Sequence, residues 1–294
     1  MINFLLPGFY EHFHLFKEII LLKENNPDIF YPEANIGACY GNFQVCAWDG
    51  GRTFRTVRQA SKEDVEEIYN FYKAKNIPLR LIFTNPEIQE HDLNNHFCNL
   101  VTKICHDENN EIVVNSPLLE NYIKTTYPKY KIISSTTKCL TNLDDSLNEL
   151  NKDYYMVCLD YNLNYNMQFL NNIPKENRDK VEFLINAICP AGCPNRKEHY
   201  RLNGLYYLNY GKHYNISCGI KDNTLDYDSA KMRNNISPTD IYNTYAPLGF
   251  SNFKLEGRSL PDLEVLINIV KYMVKPEYQL QTIFNIYYNL HPEN

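Results

Sequence analysis

Short apolar runs alternate along the chain with longer segments in which apolar side chains recur at helical spacing. Each short run has the length and composition of a buried strand. Eight such strands are predicted, and they cover residues 2–6, 33–38, 79–83, 112–114, 131–134, 154–159, 181–185 and 253–256. Strands that alternate strictly with helices are typical of a parallel sheet, because each crossover needs a helix.

Helical segments are predicted between these strands, at residues 11–24, 61–75, 88–105, 117–126, 143–151, just after Tyr165, and at 261–274. Residues 203–251 break the rhythm and are predicted to form an elaborated loop after the seventh strand, over the C-terminal face. The pattern predicts an α/β fold, a (β/α)8 TIM-type barrel that spans residues 1–294 as a single domain. An open doubly wound sheet is the alternative, but no G-x-G-x-x-G follows the first strand.

Composition and charge narrow the possible partners. Hydrophobic residues make up 44% of the chain and charged residues 22%, which is enough to bury a large core. The net charge is −6 and no long Lys/Arg run is present, so duplex nucleic acid is a disfavoured partner, although a tRNA-sized one stays open. The basic stretch at residues 51–58 is most simply a solvated loop.

The cysteines indicate a reducing compartment. There are nine, an odd number, and several lie in apolar runs, which is the pattern of reduced buried thiols. The first residues lack the basic start and cleavage site of a signal peptide. No apolar run reaches the 18 or so residues of a membrane helix, so no membrane partner is expected. These features predict a cytoplasmic protein.

Function in a barrel lies on the loops that follow the strands. Polar residues directly after the predicted strands are therefore candidates, and they are Cys39, Tyr40, Thr84, Asn85, Asn115, Ser116, Ser134, Ser135, Asp160, Asn186, Glu256 and Arg258. Asn115, Ser116 and Ser135 are equally well explained as caps of the following helices.

The strongest candidate is the turn at residues 188–194, with the sequence ICPAGCP, directly after the seventh strand. Thiolates are soft ligands for zinc, iron and iron–sulfur clusters, and a turn with two prolines can aim Cys189 and Cys193 at one ion. Cys218 and Cys39 are the expected completing ligands, with Cys46 and His199 in reserve. Two ordinary thiols in a tight turn explain the motif about as well.

Charged residues near this turn and in the last strand extend the candidate site. Arg196 and His199 are candidates for holding an anionic cofactor at a helix start, although an exposed first turn is the plainer interpretation. Lys254 and Glu256 are expected on one side of the last strand as a buried pair, and Arg258 could reach a carboxylate or phosphate. An ordinary salt bridge inside the barrel would give the same pattern.

Two segments resemble a known family. Residues 186–200, NAICPAGCPNRKEHY, look like the N-x-x-C-x-x-x-C-P-x-R-x-x-H signature of the collagenase-like peptidases, family U32. ISPTDIYNTY at 236–245 and FKLEGR at 253–258 resemble the ending of the same group. The resemblance implies a barrel with a cysteine-held cluster, and studied relatives look like iron–sulfur enzymes that insert oxygen into RNA bases or a quinone precursor. It matches Cys189 and Cys193 to the signature pair, and suggests Cys218 and Cys39 as further ligands.

Three functions follow from these observations. The first is a metal-dependent enzyme with an iron–sulfur cluster, acting by redox or oxygen-insertion chemistry on a small molecule or nucleobase, with Lys254, Glu256 and Arg258 as catalytic residues. The second is a peptidase-like hydrolase that uses zinc held by Cys and His. The third is a non-catalytic partner subunit that binds another protein. Serine hydrolase, P-loop and H-E-x-x-H motifs are absent from the sequence.

Overall fold

The computed structural model describes residues 1–44, 46–53, 59–209, 212, 214 and 234–291. Eight parallel strands pair in chain order, and the last pairs with the first to close a barrel. They are β1 (Ile2–Pro7), β2 (Ala34–Gly41), β3 (Leu79–Phe83), β4 (Glu111–Val114), β5 (Lys131–Ser134), β6 (Met156–Cys158), β7 (Val181–Leu184) and β8 (Asn252–Lys254). The predicted (β/α)8 fold is confirmed.

Helices cover the outside of the barrel. The α-helices are α1 (Phe13–Asn25), α2 (Lys62–Ala74), α3 (His96–Ile104), α4 (Pro117–Thr126), α5 (Leu143–Leu150), α6 (Met167–Asn172), α7 (Arg196–Leu208), α8 (Asp262–Met273) and α9 (Gln279–Leu290), with a single turn at Pro238–Asp240. Short 3₁₀ or π segments are Pro27–Ile29, Glu90–Asn94, Thr136–Lys138, Tyr161–Leu163, Lys175–Lys180, Ile241–Tyr245 and Pro276–Tyr278.

Local sequence explains most helix boundaries. Ser61 starts α2 with a capping box, in which its hydroxyl accepts from the Asp64 N–H and the Asp64 carboxylate accepts from the Ser61 N–H. The predicted helix at 88–105 is instead divided. The Asn95 side chain accepts from the Cys98 N–H and begins α3 afresh, after a separate 3₁₀ turn.

Two helical regions were not predicted. α9 was not predicted because the alternation of eight strands and helices is already complete with α8. Ile286 of α9 is buried, whereas Leu280, Phe284 and Tyr288 are exposed. The predicted loop at 203–251 is also shorter than expected, since α7 continues to Leu208 and Ile241–Tyr245 is helical.

Side chains alternate between the inside and outside of the barrel, as strand geometry requires. Leu5, Ala38, Tyr40, Ile82, Val113, Ile133 and Met156 form an apolar cluster that fills the interior. Residues that face the other way, such as Phe4 of β1, Leu81 of β3 and Phe183 of β7, join a larger core beneath the helices. The barrel is therefore a packed core with its free space at one end.

Charged side chains share the interior with this apolar cluster. Arg80 of β3 is fully buried, and its Nε lies 2.6 Å from Oε2 of Glu111 on the adjacent strand. Its guanidinium also pairs with Glu182 of β7. Lys254 of β8 lies on the other side of Glu182, with Nζ 3.8 Å from Oε1. Burial alone would raise the pKa of the Glu182 carboxyl, but Arg80 and Lys254 outweigh burial and lower it.

None of the helices in the described ranges has both the length and the apolar character that crossing a lipid bilayer requires.

Replacement of Arg80 by methionine is expected to lower the free energy of unfolding by about 3–5 kcal/mol, because Glu111 and Glu182 would stay buried without their guanidinium partner. Urea unfolding followed by circular dichroism measures the change. The matched control is Lys62→Met, which breaks an exposed pair with Glu66 and should cost less than about 1 kcal/mol. Equal effects of the two substitutions would contradict the role given to Arg80.

Candidate functional site

A cavity of about 80 Å³ opens among the carboxyl ends of the strands. Tyr40, Ile82 and Val113 form its floor, and Lys254 and Thr84 contribute polar groups. Loop residues from the β2–α2 and β5–α5 connections form its walls. This is the end at which enzymes built on this fold carry their sites.

Lys254 is the cation inside the cavity. The residue is only 8% exposed, and its ammonium lies 4.1 Å from the centre of the Tyr40 ring. The Tyr40 hydroxyl is turned away and donates to the Leu255 carbonyl at 2.5 Å. Within the described chain, the structure records no hydrogen bond from Nζ. The ammonium is thus held by one carboxylate at 3.8 Å and one ring, and Lys254 lines the cavity.

Thr84 adds a second unsatisfied group to the cavity. It directly follows β3, as expected from the sequence, and its hydroxyl is buried without a hydrogen-bond partner in the described residues. A buried hydroxyl without a partner is costly, so a polar atom of a ligand would be well placed there.

Glu256 braces the mouth of the cavity. Its Oε1 accepts from Arg52 Nε at 2.7 Å, and its Oε2 accepts from the Ile188 N–H at 2.8 Å. Asn186 binds the backbone on both sides of the same residue, accepting from the Glu256 N–H and donating to its carbonyl. Both carboxylate oxygens thus accept hydrogen bonds from the chain, so Glu256 positions the 188–194 turn, and its catalytic role stays a prediction.

The expected pairing of Lys254 with Glu256 is wrong. Lys254 is the last residue of β8 and points inward to Glu182, whereas Glu256 lies beyond the strand, where its alternation no longer applies. Glu256 pairs with Arg52 instead. Residues 51–58 were interpreted as a solvated loop, and this is wrong at Arg52, whose side chain pairs with Glu256. Positions 54–58 lie outside the described residues.

Arg258 reaches a carboxylate, as the sequence suggested, but that carboxylate belongs to the chain. Both oxygens of Asp49 lie within 3.0 Å of its Nη1, and Nη2 donates to the Gly50 carbonyl at 3.1 Å. The residue is 5% exposed. Arg258 therefore holds the β2–α2 loop against the barrel, and its catalytic role stays a prediction.

The two cysteines of the 188–194 turn face different surroundings. Cys189 packs beside Tyr161, Leu184 and Ala187, and its sulfur lies 3.7 Å from Arg52 Nη2. Cys193 instead lines an outer cavity with Cys139 and Arg196. Burial raises the pKa of the Cys189 thiol more than Arg52 lowers it, so the thiol stays protonated at neutral pH.

Arg196 and His199 lack the free charge that anion binding needs. The Arg196 guanidinium pairs with the buried Asp160, stacks 4.4 Å over the Tyr161 ring and contacts the Cys139 sulfur at 3.3 Å. Burial, followed by the nearby Arg52 charge, lowers the pKa of His199 below its usual 6.5, so the imidazole is neutral at pH 7. The anion site predicted at these two side chains stays a prediction.

The predicted ligand set of Cys189, Cys193, Cys218 and Cys39 does not assemble in the described part of the chain. Cys39 lies on β2 itself and points outward into the core beneath the helices, where it contacts Tyr72 of α2. The barrel wall separates it from the turn. Cys218 lies outside the described residues. Among those that are described, no three His, Cys, Asp or Glu side chains are grouped so as to bind a metal ion. The described residues alone therefore do not supply the ligands of a cluster, and the predicted set that includes Cys218 stays a prediction.

Two buried carboxyl groups near Arg258, those of Glu11 and Asp49, were not predicted from the sequence. Both carboxylate oxygens of Glu11, in the turn after β1, are buried without a hydrogen-bond partner. Burial raises the pKa of Glu11 from 4.5 to about 7, against the opposing charge of Arg258. Burial likewise raises the pKa of Asp49 from 3.8 to about 6. No sequence pattern marks Glu11, because its main charged neighbour, Arg258, is distant in the sequence.

Comparisons with known proteins bear on the fold alone. No family model matches the chain, and no curated protein matches it. One similar solved structure is that of a U32 peptidase, with a TM-score of 0.52 and 14% sequence identity. The match covers 88% of this chain and 93% of that one. The chain has a U32-like fold. At this identity the likeness shows the fold and carries no information on the reaction.

Cys189 is expected to react slowly with iodoacetamide at pH 7, because its raised pKa keeps the thiol protonated. The rate should climb at a higher pH than for glutathione, and Arg52→Met should move that rise further upward, since the guanidinium favours the thiolate. Mass spectrometry of the alkylated peptide over pH 6–10 measures both effects. A Cys189 rate equal to that of glutathione at pH 7 would refute the assignment.

Glu11 is expected to make folding less favourable as the pH rises. The folded chain keeps the Glu11 proton up to a pKa of about 7, whereas the unfolded chain releases it near 4.5, so stability present below pH 4.5 is lost between those values. The loss is on the order of 3 kcal/mol. Urea unfolding at pH 5 and pH 8 should show a smaller difference for Glu11→Gln than for the wild type, with Glu63→Gln, an exposed residue, as control.

Proposed function

We propose that the chain is an enzyme whose barrel mouth binds a carboxylate or carbonyl oxygen of a small organic substrate through Lys254. The observation that carries this proposal is the buried Lys254 ammonium, which lines the cavity and makes no recorded hydrogen bond in the described chain. A buried ammonium is costly unless its donors are satisfied. A substrate oxygen would satisfy them.

The surroundings of Lys254 favour an oxygen with negative charge or partial charge. Arg52 and Arg258 also line the cavity, and each is already paired, with Glu256 and Asp49 respectively. Lys254 is paired less closely, since its nearest carboxylate oxygen is 3.8 Å away. In a site of low dielectric, such a cation stabilises charge that develops on a carbonyl oxygen during reaction. Lys254 would then be the catalytic residue.

Size and lining limit the substrate. The cavity of about 80 Å³ exceeds the roughly 10–15 Å³ that one water needs, but it is smaller than the roughly 150 Å³ that admits benzene. Ile82, Val113 and Leu184 offer apolar contacts, and Thr84 and Ser135 offer hydroxyls. These features suit a short carboxylate or 2-oxo acid, or the terminal group of a longer molecule, better than a flat aromatic ring.

A peptide carbonyl fits the same description. The similar solved structure is that of a U32 peptidase, and the terminal group of a short peptide could enter the cavity. The zinc-dependent form of this proposal would need a ligand set beyond His199 and the turn cysteines.

Iron–sulfur chemistry on a small molecule or nucleobase remains a second proposal. The observation in its favour is a group of cysteines beside the mouth. Cys189 and Cys193 belong to the 188–194 turn, and Cys139 lines the same outer cavity as Cys193. It would require ligands outside the described residues, such as Cys218. Anaerobic purification with iron, sulfide and zinc quantified, repeated for Cys189→Ser and Cys218→Ser, tests it directly. Metal-free protein that still binds ligand would exclude the iron–sulfur proposal. Copurification of another chain would instead favour a non-catalytic partner subunit.

Lys254→Met is expected to weaken binding of the preferred ligand by about 10- to 100-fold, the value of one charge-assisted hydrogen bond. Isothermal titration calorimetry against a panel of short carboxylates, 2-oxo acids and dipeptides measures the effect. Lys62→Met, on the exposed face of α2, is the control and should leave binding unchanged. Tight binding of a panel member that survives Lys254→Met, or no binding by any member, would overturn the proposal.

A further inference from the structure

We propose that Cys46 and Cys98 form an intramolecular disulfide under oxidising conditions, and that this bond fixes the loop carrying Asp49 and Arg52. The two sulfurs lie 2.8 Å apart, and both residues are fully buried. Both thiols are free in this structure. The inference about the bond is independent of the proposed substrate, but its consequence for the mouth rests on the proposed function.

The two cysteines are brought together by anchored segments. Cys98 lies in the first turn of α3, where its N–H is bound by the cap residue Asn95. Cys46 begins a turn closed by a hydrogen bond from the Asp49 N–H to its carbonyl. Trp48 in that turn donates from Nε1 to the Asp92 carbonyl at 2.9 Å and packs edge-on against Phe83. The sulfurs therefore face each other as a consequence of the fold and need little movement to bond.

The surroundings favour a bond between the thiols over a shared metal ion. In the ranges that the structure covers, no third His, Cys, Asp or Glu joins the pair as a metal ligand. Trp48 and Val101 belong to the same apolar core as the two cysteines, and an apolar core offers no further donor for an ion. Without a third ligand, the simplest reaction that two adjacent thiols can undergo together is oxidation to a disulfide.

The oxidation balances with a small-molecule disulfide such as glutathione disulfide as oxidant. Two S–H bonds break, one S–S bond forms between Cys46 and Cys98, and two electrons and two protons reduce the oxidant to two thiols. Burial raises the pKa of the Cys46 thiol, so attack by its thiolate is slow in the closed structure. The bond should form during folding or local opening, and once formed should resist added reductant.

The bond would act on the wall of the barrel mouth. Residues 46–53 place Asp49 on Arg258 and Arg52 on Glu256, and the Tyr207 hydroxyl donates to the Arg52 carbonyl at 2.6 Å. Gly50 packs so closely on Thr84 that an added Cβ would lie 2.7 Å from the Thr84 carbonyl oxygen. A covalent link from Cys46 to α3 would hold this segment from its other end, so the mouth would keep its shape.

The test is a thiol count on protein refolded in a glutathione redox buffer. Quantified under denaturing conditions, the nine cysteines should give seven free thiols, and reduced protein should give nine. Tryptic digestion should join the peptide 24–52 to the peptide 81–103, with fragmentation assigning the link to Cys46. The melting temperature of the oxidised form should rise by on the order of 10 °C.

Cys39→Ala is the matched control, because Cys39 is also buried and lies in the same tryptic peptide as Cys46. It should still lose two thiols on oxidation, whereas Cys46→Ala and Cys98→Ser should lose none. Nine free thiols in the oxidised wild type, or a link between other cysteines, would overturn the proposal. The wild-type peptide map decides the matter even if a variant fails to fold.

Discussion

The interior of the barrel depends on the ion pairs that the buried carboxylate of Glu182 makes with Arg80 and Lys254. Arg80 and Lys254 both point inward because of strand alternation, and this one negative group lies between them. An apolar barrel core would be cheaper than a buried charge network of this kind. The network places the Lys254 ammonium at the top of the core, where the cavity begins. The chemistry of the mouth is therefore set by a residue that lies below it.

A second set of ion pairs determines the shape of the mouth. Glu256 and Arg258 follow β8 two residues apart, and each binds a different residue of the β2–α2 loop. The same Glu256 holds the backbone of the 188–194 turn. Three segments distant in sequence are thus joined through the end of a single strand. This arrangement gives the short charged motif after the last strand a structural role at the mouth.

The sequence was sufficient for the fold, and less so for the contacts of individual side chains. Strand and helix periodicities such as those of β3 and α4 are local, and the predicted bounds match the structure. The roles of Arg52 and Glu11 depend on partners some 200 residues away, which no periodicity reveals. Cys39 was misplaced for a simpler reason. β2 extends to Gly41, so the residue stays within the strand and its side chain faces the helices.

Closure of the barrel has a consequence for association. Every strand has a neighbour on both sides, so the sheet has no free edge at which another chain could add a strand. Contact with a second polypeptide would have to use helix faces or loops. The outer face of α9 presents Leu280, Phe284 and Tyr288 one turn apart, each more than half exposed. Exposure of these apolar side chains to water is unfavourable in free energy, and α9 carries them although the strands close the barrel without it.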